Sequence, residues 1–426
     1  MNPSTIEKAY ALARDQYAEL GVDAASALAA LKSISLSLPC WQGDDIRGFE
    51  KIEEAAHSAG IQVTGSYPGR ARTVEELRLD LKKSLSLIPG SHRLNLHAIY
   101  GEFGGKRVER DEIEPTHFKN WVAWAKQEKL KLDFNATCFS HPRANSGYTL
   151  SSKDKGVRKF WIEHVKRCRK IASFLGRELR AASLHNLWIP DGSKDSPFDR
   201  WSPRALLKES LDEIFKTEYS PTTMKDSLES KLFGIGSESY VVGSHEFYLG
   251  YALAKRKMIC LDLGHFHPTE SIADKISAIL QFSEEMLLHL SRPVRWDSDH
   301  VVILNEDLRN VAEEILRSRA LRKVHIALDF FDASMNRVGA WVIGARATLK
   351  AFLLALLQPE ERLKGLENGG NYFGRLALLE ELKALPFGAV WDYYCLSQEV
   401  PPGPEWHRDI ENYEKNVLSK RDAGKK

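Results

Sequence analysis

The sequence predicts an α/β fold, a (β/α)8 TIM barrel with an additional helical extension at its C-terminal end. Eight short apolar runs recur along the chain, and amphipathic stretches separate them. Strands that alternate with helices favour parallel pairing through right-handed crossovers, and eight such units close a barrel. With 426 residues, of which 43% are hydrophobic, the chain can form the large core that this fold requires.

The predicted elements follow the chain in a regular order. An opening helix comes first, with Ser4 and Glu7 as a capping box and Gly21 as its end. The eight predicted strands are 34–39, 93–99, 131–137, 185–190, 228–234, 258–264, 285–291 and 324–330. Helical periodicity between them predicts helices at 157–176, 204–218 and 274–285.

Further helices are predicted after the eighth strand, at 337–358, 375–386 and 406–421. The first of them can complete the barrel as its eighth helix. We therefore predict a barrel over residues 1–358 and a C-terminal helical extension over residues 359–426.

The segment 50–72 is too long and too glycine-rich to serve only as a connector after the first strand. Long loops in compact barrels are usually lids or binding loops. We predict that this segment is a lid loop within the barrel domain.

Charge and composition exclude several classes of protein. The 60 basic and 58 acidic residues give a net charge of +2, which argues against a nucleic-acid partner. We find no uninterrupted run of 18 apolar residues and no signal-like N-terminus, so we expect no membrane partner and a cytoplasmic location. Five scattered cysteines without a CxxC pair are expected to be reduced and structural.

Candidate metal ligands are dense between Cys260 and Asp299. The stretch contains Asp262, His265, His267, His289, Asp297 and Asp299, and most of them follow a short apolar run. Carboxylates and imidazoles together suit manganese, cobalt, zinc or magnesium rather than a thiolate-seeking metal. In a barrel of this type the active site lies at the carboxyl ends of the strands.

The barrel topology groups these residues into two predicted sites. The first comprises Glu229, Asp262, His289 and Asp329, which converge from four consecutive strands. The second comprises His265, Asp297 and Asp299, which lie in loops past the sixth and seventh strands. Ligands on loops would leave open positions for water and substrate, as a catalytic metal requires.

Two further residues stand close to these ligands in the sequence. Lys231 is expected to share a strand face with Glu229 and to point toward the metals, where carboxylates would keep its ammonium charged. His267 is expected to bond within the turn that precedes Pro268 rather than to bind a metal.

Several strings of residues resemble those of bacterial L-rhamnose isomerases, in the same order and spacing over nearly the whole chain. They are PCWQGDD, RLNLHAIY, WIPDG, ESKLFGIGSESY, LDLGHFHPTE, SRPVRWDSDHVV and LDFFDAS. The resemblance implies a homotetramer with a fold similar to xylose isomerase, which uses two Mn²⁺ ions per subunit to interconvert L-rhamnose and L-rhamnulose.

The resemblance also implies roles for individual residues. The four residues of the first site match ligands of the more firmly held metal, and those of the second site match ligands of the catalytic metal, with Asp262 able to bridge the two. His97 and Trp188 match positions that line the sugar pocket, although a core histidine and a packing aromatic remain alternatives. The residues expected to bind substrate are therefore His97, Trp188, Lys231 and Asp329, and those expected to take part in catalysis are Lys231, His265, Asp297 and Asp299.

Such a site would move a carbonyl from C1 to C2 without a nicotinamide or flavin, and the chain has no GxGxxG or P-loop motif. Since most acidic and imidazole groups are expected to bind metal, a direct hydride shift from C2 to C1 is favoured over a base-catalysed enediol route. Two alternatives remain open: an isomerase of another aldose with the same metal site, and a metal-dependent endonuclease of this fold. The near-neutral charge argues against the endonuclease.

Overall fold

The computed structural model describes residues 2–51, 61, 63–233 and 237–422 and confirms the predicted barrel. Eight parallel strands close a ring in which each strand pairs with its neighbours in the chain, and β1 pairs with β8. They are β1 (Leu36–Pro39), β2 (Arg93–His97), β3 (Lys131–Asn135), β4 (Ser183–Leu187), β5 (Met224–Glu229), β6 (Met258–Asp262), β7 (Met286–Leu290) and β8 (Val324–Leu328).

Helices surround the barrel and continue beyond it. They are α1 (Pro3–Glu19), α2 (Ala24–Lys32), α3 (Val74–Leu85), α4 (Lys119–Gln127), α5 (Lys155–Leu179), α6 (Trp201–Ile214), α7 (His245–Lys255), α8 (Ile272–Ile279), α9 (Glu306–Arg317), α10 (Arg337–Leu356), α11 (Glu360–Asn368), α12 (Tyr372–Glu381), α13 (Phe387–Ser397), α14 (Glu405–Tyr413) and α15 (Ser419–Asp422). A π-helical turn, Glu414–Leu418, joins the last two, and a short antiparallel pair, Gly192–Ser193 with Tyr240–Val241, lies outside the barrel.

Several predicted boundaries are wrong. The fifth strand ends at Glu229 instead of continuing to residue 234, so Lys231 lies past the strand and does not share its face with Glu229. The opening helix is capped by Asn2, whose side chain accepts a hydrogen bond from the Ser4 amide, so Ser4 lies inside the helix. The predicted helix 274–285 ends at Ile279.

Helix α10 is mostly buried. Among the described residues it is the one helix long and apolar enough to cross a membrane, and 83% of its apolar window is buried inside the protein. Trp341 in this helix donates a hydrogen bond to the carbonyl oxygen of Pro39 at 2.7 Å. The apolar composition of α10 is thus accounted for by packing against the barrel.

The C-terminal helices fold back onto the N-terminal half. Tyr393 of α13 stacks on Tyr10 of α1 with ring centroids 3.9 Å apart. Arg421 of α15 forms a buried ion pair with Asp80 of α3 at 2.7 Å. The predicted helices of the extension are therefore present, while its boundary at residue 358 and its contacts with other subunits stay predictions.

The predicted lid lies partly outside the described residues, which omit 52–60 and 62. Its final part is tied to the barrel: the Tyr67 amide donates to the Ala333 carbonyl oxygen, and Arg337 donates to the carbonyl oxygen of Tyr67. That this segment acts as a lid stays a prediction.

A buried arginine joins three elements on the outside of the barrel. Arg169 of α5 donates two hydrogen bonds of 2.9 Å to Asp226 of β5. The same guanidinium donates to the carbonyl oxygens of Ile214 and Thr217 at the end of α6. Both charged groups are almost fully buried. Burial opposes ionisation of Asp226, but contacts with His185 and with Arg169 hold its pKa below the usual value.

We expect Arg169→Met to destabilise the fold because it leaves Asp226 buried with less charge compensation. Breaking a buried pair in this way typically costs ~3–5 kcal/mol. The matched control is Lys170→Met on the same helix, since Lys170 is half exposed and its surface pair with Glu114 is worth ~0–1 kcal/mol. Thermal unfolding followed by circular dichroism should show a clear drop in midpoint for Arg169→Met alone, and equal midpoints would contradict the role assigned to Arg169.

Candidate metal centre and active-site cavity

A cavity of about 260 Å³ opens at the carboxyl ends of the barrel strands. It gathers nearly all the residues that the sequence singles out, and its lining includes His97, Trp188, Glu229, Lys231, His265, His289, Asp297, Asp299 and Asp329. Asp262 lies just below the cavity wall and is almost fully buried. The predicted position of the site is therefore where the structure brings these side chains together.

Four of the predicted ligands form a first cluster, which consists of Glu229, Asp262, His289 and Asp329. Their ligand atoms all lie within 4.8 Å of one another. Glu229 and Asp262 end β5 and β6, and Asp262 is directly opposite His289 in the register of β6 and β7. Because parallel strands end at the same rim of a barrel, this register places the four side chains around one point.

The polar atoms of the first cluster converge on a common space. Nδ1 of His289 lies 2.9 Å from Oδ2 of Asp329 and 3.3 Å from Oε1 of Glu229. Nevertheless, neither ring nitrogen of His289 has a hydrogen-bond partner. Buried polar atoms without partners are costly, and atoms that converge in this way fit a cation between them.

A second cluster consists of Asp262, His265 and Asp297, whose ligand atoms also lie within 4.8 Å of one another. Nε2 of His265 is 3.1 Å from Oδ2 of Asp297. Nδ1 of His265, Oδ2 of Asp262 and Oδ1 of Asp297 are buried without a hydrogen-bond partner. Asp262 belongs to both clusters, which is the geometry that a bridging ligand requires.

Asp299 lines the cavity but is not a member of either cluster. Its backbone φ is 45°, a left-handed conformation that non-glycine residues seldom adopt. Burial raises the pKa of its carboxyl well above the ordinary value, and the neighbouring Asp297 adds to the rise. The role of Asp299 as a metal ligand stays a prediction.

Position 264 has no room for a side chain, because its backbone lies close to carboxylates of both clusters. A Cβ atom at this position would lie 2.6 Å from Oδ1 of Asp297 and 3.1 Å from Oδ1 of Asp262. The amide of Gly264 also donates a 2.6 Å hydrogen bond to Oδ1 of Asp262. Glycine at this position therefore lets the β6 loop approach both carboxylates.

The electrostatics of the clusters fit a cation. Burial raises the pKa of Asp262 to about 8, with Asp329 and Glu229 adding to the rise and His265 opposing it. Burial would lower the pKa of His289, but Cys260, Glu229 and Asp329 raise it well above its ordinary value. Carboxylates that are short of positive charge, together with imidazoles, form a donor set that suits manganese and similar divalent ions.

Lys231 lies on the cavity wall, only 6% exposed, although it follows the strand instead of belonging to it. Its Nζ is 5.1 Å from the ring centre of Trp188. Burial lowers its pKa below the ordinary value, and Asp297 and Asp299 offset only part of that effect. The effect of burial on this pKa is therefore larger than that of the two carboxylates, and the expectation that Lys231 stays charged remains a prediction.

The other predicted wall residues are also in place. Trp188 stacks near His265 with ring centres 6.4 Å apart. His97 packs edge-on against Trp41, and its Nδ1 lies 3.1 Å from Oγ1 of Thr137. By contrast, His267 is exposed and bonds to Thr269 within its own turn, as predicted.

Sequence reasoning missed three residues that contact cluster carboxylates, namely Trp41, Asn186 and Ser291. Asn186 lies in β4, which begins two residues earlier in the chain than predicted. Ser291 directly follows β7. A search for uncharged polar residues at the carboxyl ends of the predicted strands would have indicated Ser291, but not Asn186, which lies near the start of the predicted strand 185–190.

The chain is similar to several known proteins. A family model described as "L-rhamnose isomerase (RhaA)" matches residues 4–421. An L-rhamnose isomerase of Rhodopirellula baltica is 56% identical over 98% of this chain and 97% of its own length. An L-rhamnose isomerase of Bacteroides thetaiotaomicron is 54% identical over 98% and 99%. Among solved structures, an L-ribulose 3-epimerase covers 72% of this chain and 98% of its own, with 10% identity and a TM-score of 0.44.

We expect Gly264→Ala to weaken binding of a divalent ion at the second cluster, because the added methyl group would displace Asp297. Measured by isothermal titration of Mn²⁺ into metal-free protein, the affinity should fall about tenfold or more, in the range that altered support of ligands typically causes. Gly250→Ala is the control, since a Cβ there has no atom within 4 Å. If Gly264→Ala binds Mn²⁺ as tightly as the wild type, the close approach has no consequence for the metal.

Proposed function

The chain belongs to the L-rhamnose isomerase family, and we propose on that basis that it interconverts L-rhamnose and the ketose L-rhamnulose in L-rhamnose catabolism. Its identity of more than half to relatives of that name, over almost their full length, supports the substrate as well as the reaction. The single observation that carries the proposal within the structure is the pair of clusters of unpartnered ligand atoms at the floor of the cavity.

We propose that the site holds two divalent ions, with Mn²⁺ as the preferred one and Co²⁺, Zn²⁺ or Mg²⁺ as substitutes. The first cluster would hold the more firmly bound ion, and His265, Asp297 and Asp299 would hold the other, with Asp262 shared. When bound, such ions act as Lewis acids that polarise the carbonyl and hydroxyl oxygens of an open-chain sugar.

The remaining wall residues would bind and orient the sugar. The ammonium of Lys231 can donate hydrogen bonds to a sugar oxygen, and Asp329 can accept one from a hydroxyl group. Trp188 and His97 would form apolar and polar parts of the wall, a combination that is usual in small-molecule pockets. Their common position around one cavity supports these roles.

We propose that the hydrogen passes directly between C2 and C1 as a hydride. The alternative requires a base that is free of metal and within hydrogen-bond reach of C2. Outside the two clusters, the acidic and imidazole side chains along the described cavity are His97, Asp299 and His300. His97 is fixed between Trp41 and Phe139, which supports a wall role rather than that of a mobile base.

We also propose a homotetramer in the cytoplasm, with the C-terminal extension between subunits. The exposed apolar side chains Tyr372, Phe373 and Leu376 along α12 support contacts of the extension with another copy. The near-neutral net charge supports the absence of a nucleic-acid partner.

We expect the purified protein to form ketose from L-rhamnose with a higher kcat/KM than from other aldoses, and to lose that activity on chelation. Readdition of Mn²⁺ should restore it, since the ligand atoms are left without partners when the ions are removed. A colorimetric ketose assay on a panel of aldoses, with and without chelator, measures both effects. A higher kcat/KM with another aldose would contradict L-rhamnose as the substrate. If none of the aldoses yields a ketose, the isomerase proposal is overturned.

The route of the hydrogen has its own test. Conversion of L-rhamnose deuterated at C2 in ordinary water should leave the label at C1 of the ketose, because a hydride does not exchange with solvent. Mass spectrometry of the product measures the retained fraction. Extensive loss of deuterium to the solvent would favour a base whose proton exchanges with water. Asp299 and His97 would then be the first residues to substitute.

A further inference from the structure

Buried carboxylates in this barrel are stabilised in two different ways. Asp133 and Asp226 each receive a two-pronged ion pair from an arginine, Arg93 and Arg169 respectively. Among the described residues, no arginine or lysine forms an ion pair with a carboxylate of the first cluster. The negative charge there is therefore not balanced by the protein's own cations apart from imidazoles.

Instead, each carboxylate of the first cluster is held through one oxygen by an uncharged donor. Nδ2 of Asn186 donates to Oε2 of Glu229 at 2.5 Å. Nε1 of Trp41 donates to Oδ1 of Asp329 at 3.2 Å.

The third carboxylate follows the same pattern. Oδ1 of Asp262 accepts hydrogen bonds from Oγ of Ser291 at 3.1 Å and from the amide of Gly264 at 2.6 Å. Its other oxygen, Oδ2, is buried without a partner. Asp191 provides a contrast, because uncharged donors there bond both oxygens and leave no oxygen facing a site.

From this pattern we infer that Asn186, Trp41 and Ser291 are positioning residues for the metal centre, an inference that rests on the proposed function. Each fixes one oxygen of a carboxylate so that the other points into a cluster. Because the donors are neutral, they orient the ligands and leave the negative charge available to a cation. An arginine at the same place would orient the carboxylate as well but would oppose binding of a divalent ion.

The three residues do not all act on the same clusters. Asn186 and Trp41 hold Glu229 and Asp329, which belong to the first cluster only. Ser291 holds Asp262, which belongs to both clusters. The inference therefore assigns one effect on metal binding to Asn186 and Trp41 and a different effect to Ser291, and a general loss of stability would not produce that pattern.

The test is titration of metal-free protein with Mn²⁺, with free Mn²⁺ measured by electron paramagnetic resonance. Asp329→Asn and Asp297→Asn identify which binding step belongs to which cluster. Asn186→Ala and Trp41→Phe should weaken the first-cluster step by about 10- to 100-fold and leave the other nearly unchanged, whereas Ser291→Ala should weaken both. Ser291→Thr, which keeps the hydroxyl, should restore most of the affinity.

Ser210→Ala is the matched control, because it removes a buried hydroxyl that donates to the Leu150 carbonyl oxygen away from the clusters. Thermal unfolding of the metal-free variants shows whether each is folded. If the wild type shows two binding steps and all three variants leave both steps unchanged, or weaken both steps equally, the inference is overturned. The proposed metal centre would not be contradicted by that result. A wild type that binds fewer than two Mn²⁺ ions would contradict the proposed metal centre and the inference with it.

Discussion

Like-charge repulsion at the carboxyl rim of the barrel is the constraint on which the site depends. The fold brings carboxylates from β5, β6 and β8 within 4.8 Å of one another in a buried place. Two such charges about 5 Å apart repel by ~3 kcal/mol at an effective dielectric constant of about 20. The protein holds them together through strand register, which is set by the whole hydrogen-bonded ring. Barrel closure thus supplies the free energy that keeps the ligands in place.

The general fold could be predicted from sequence because apolar runs and amphipathic helices are local patterns. The error in β5 has a physical cause: Lys225 and Asp226 open this strand and make it look polar. Asp226 is nevertheless buried, since Arg169 reaches it from α5, 57 residues earlier in the chain. A partner so distant in sequence leaves no local pattern, and the predicted strand was therefore displaced toward the apolar residues that follow.

The ligand clusters could be predicted for the same reason as the barrel, because Asp262 and His289 follow from strand order and side-chain alternation. The geometry that orients them could not. Trp41, Asn186 and Ser291 are uncharged, and their residue types alone do not indicate a metal site. Asp299 lies outside both clusters and has a left-handed backbone, and sequence spacing indicates neither.

Some buried carboxylates pair with arginine and join elements of the fold, whereas those at the carboxyl rim have no arginine partner in the described residues and are available to a metal. On the outer side of the barrel, Arg169 neutralises Asp226 and also satisfies carbonyl oxygens at the end of α6, so charge is used to join elements. At the C-terminal helices, Arg421 does the same for Asp80. At the carboxyl rim of the barrel such a partner would stabilise the metal-free state and so reduce the gain from binding a cation. Because their donors are neutral, the rim carboxylates still repel one another in the metal-free protein. A divalent ion relieves that repulsion when it binds, and this adds to its binding free energy.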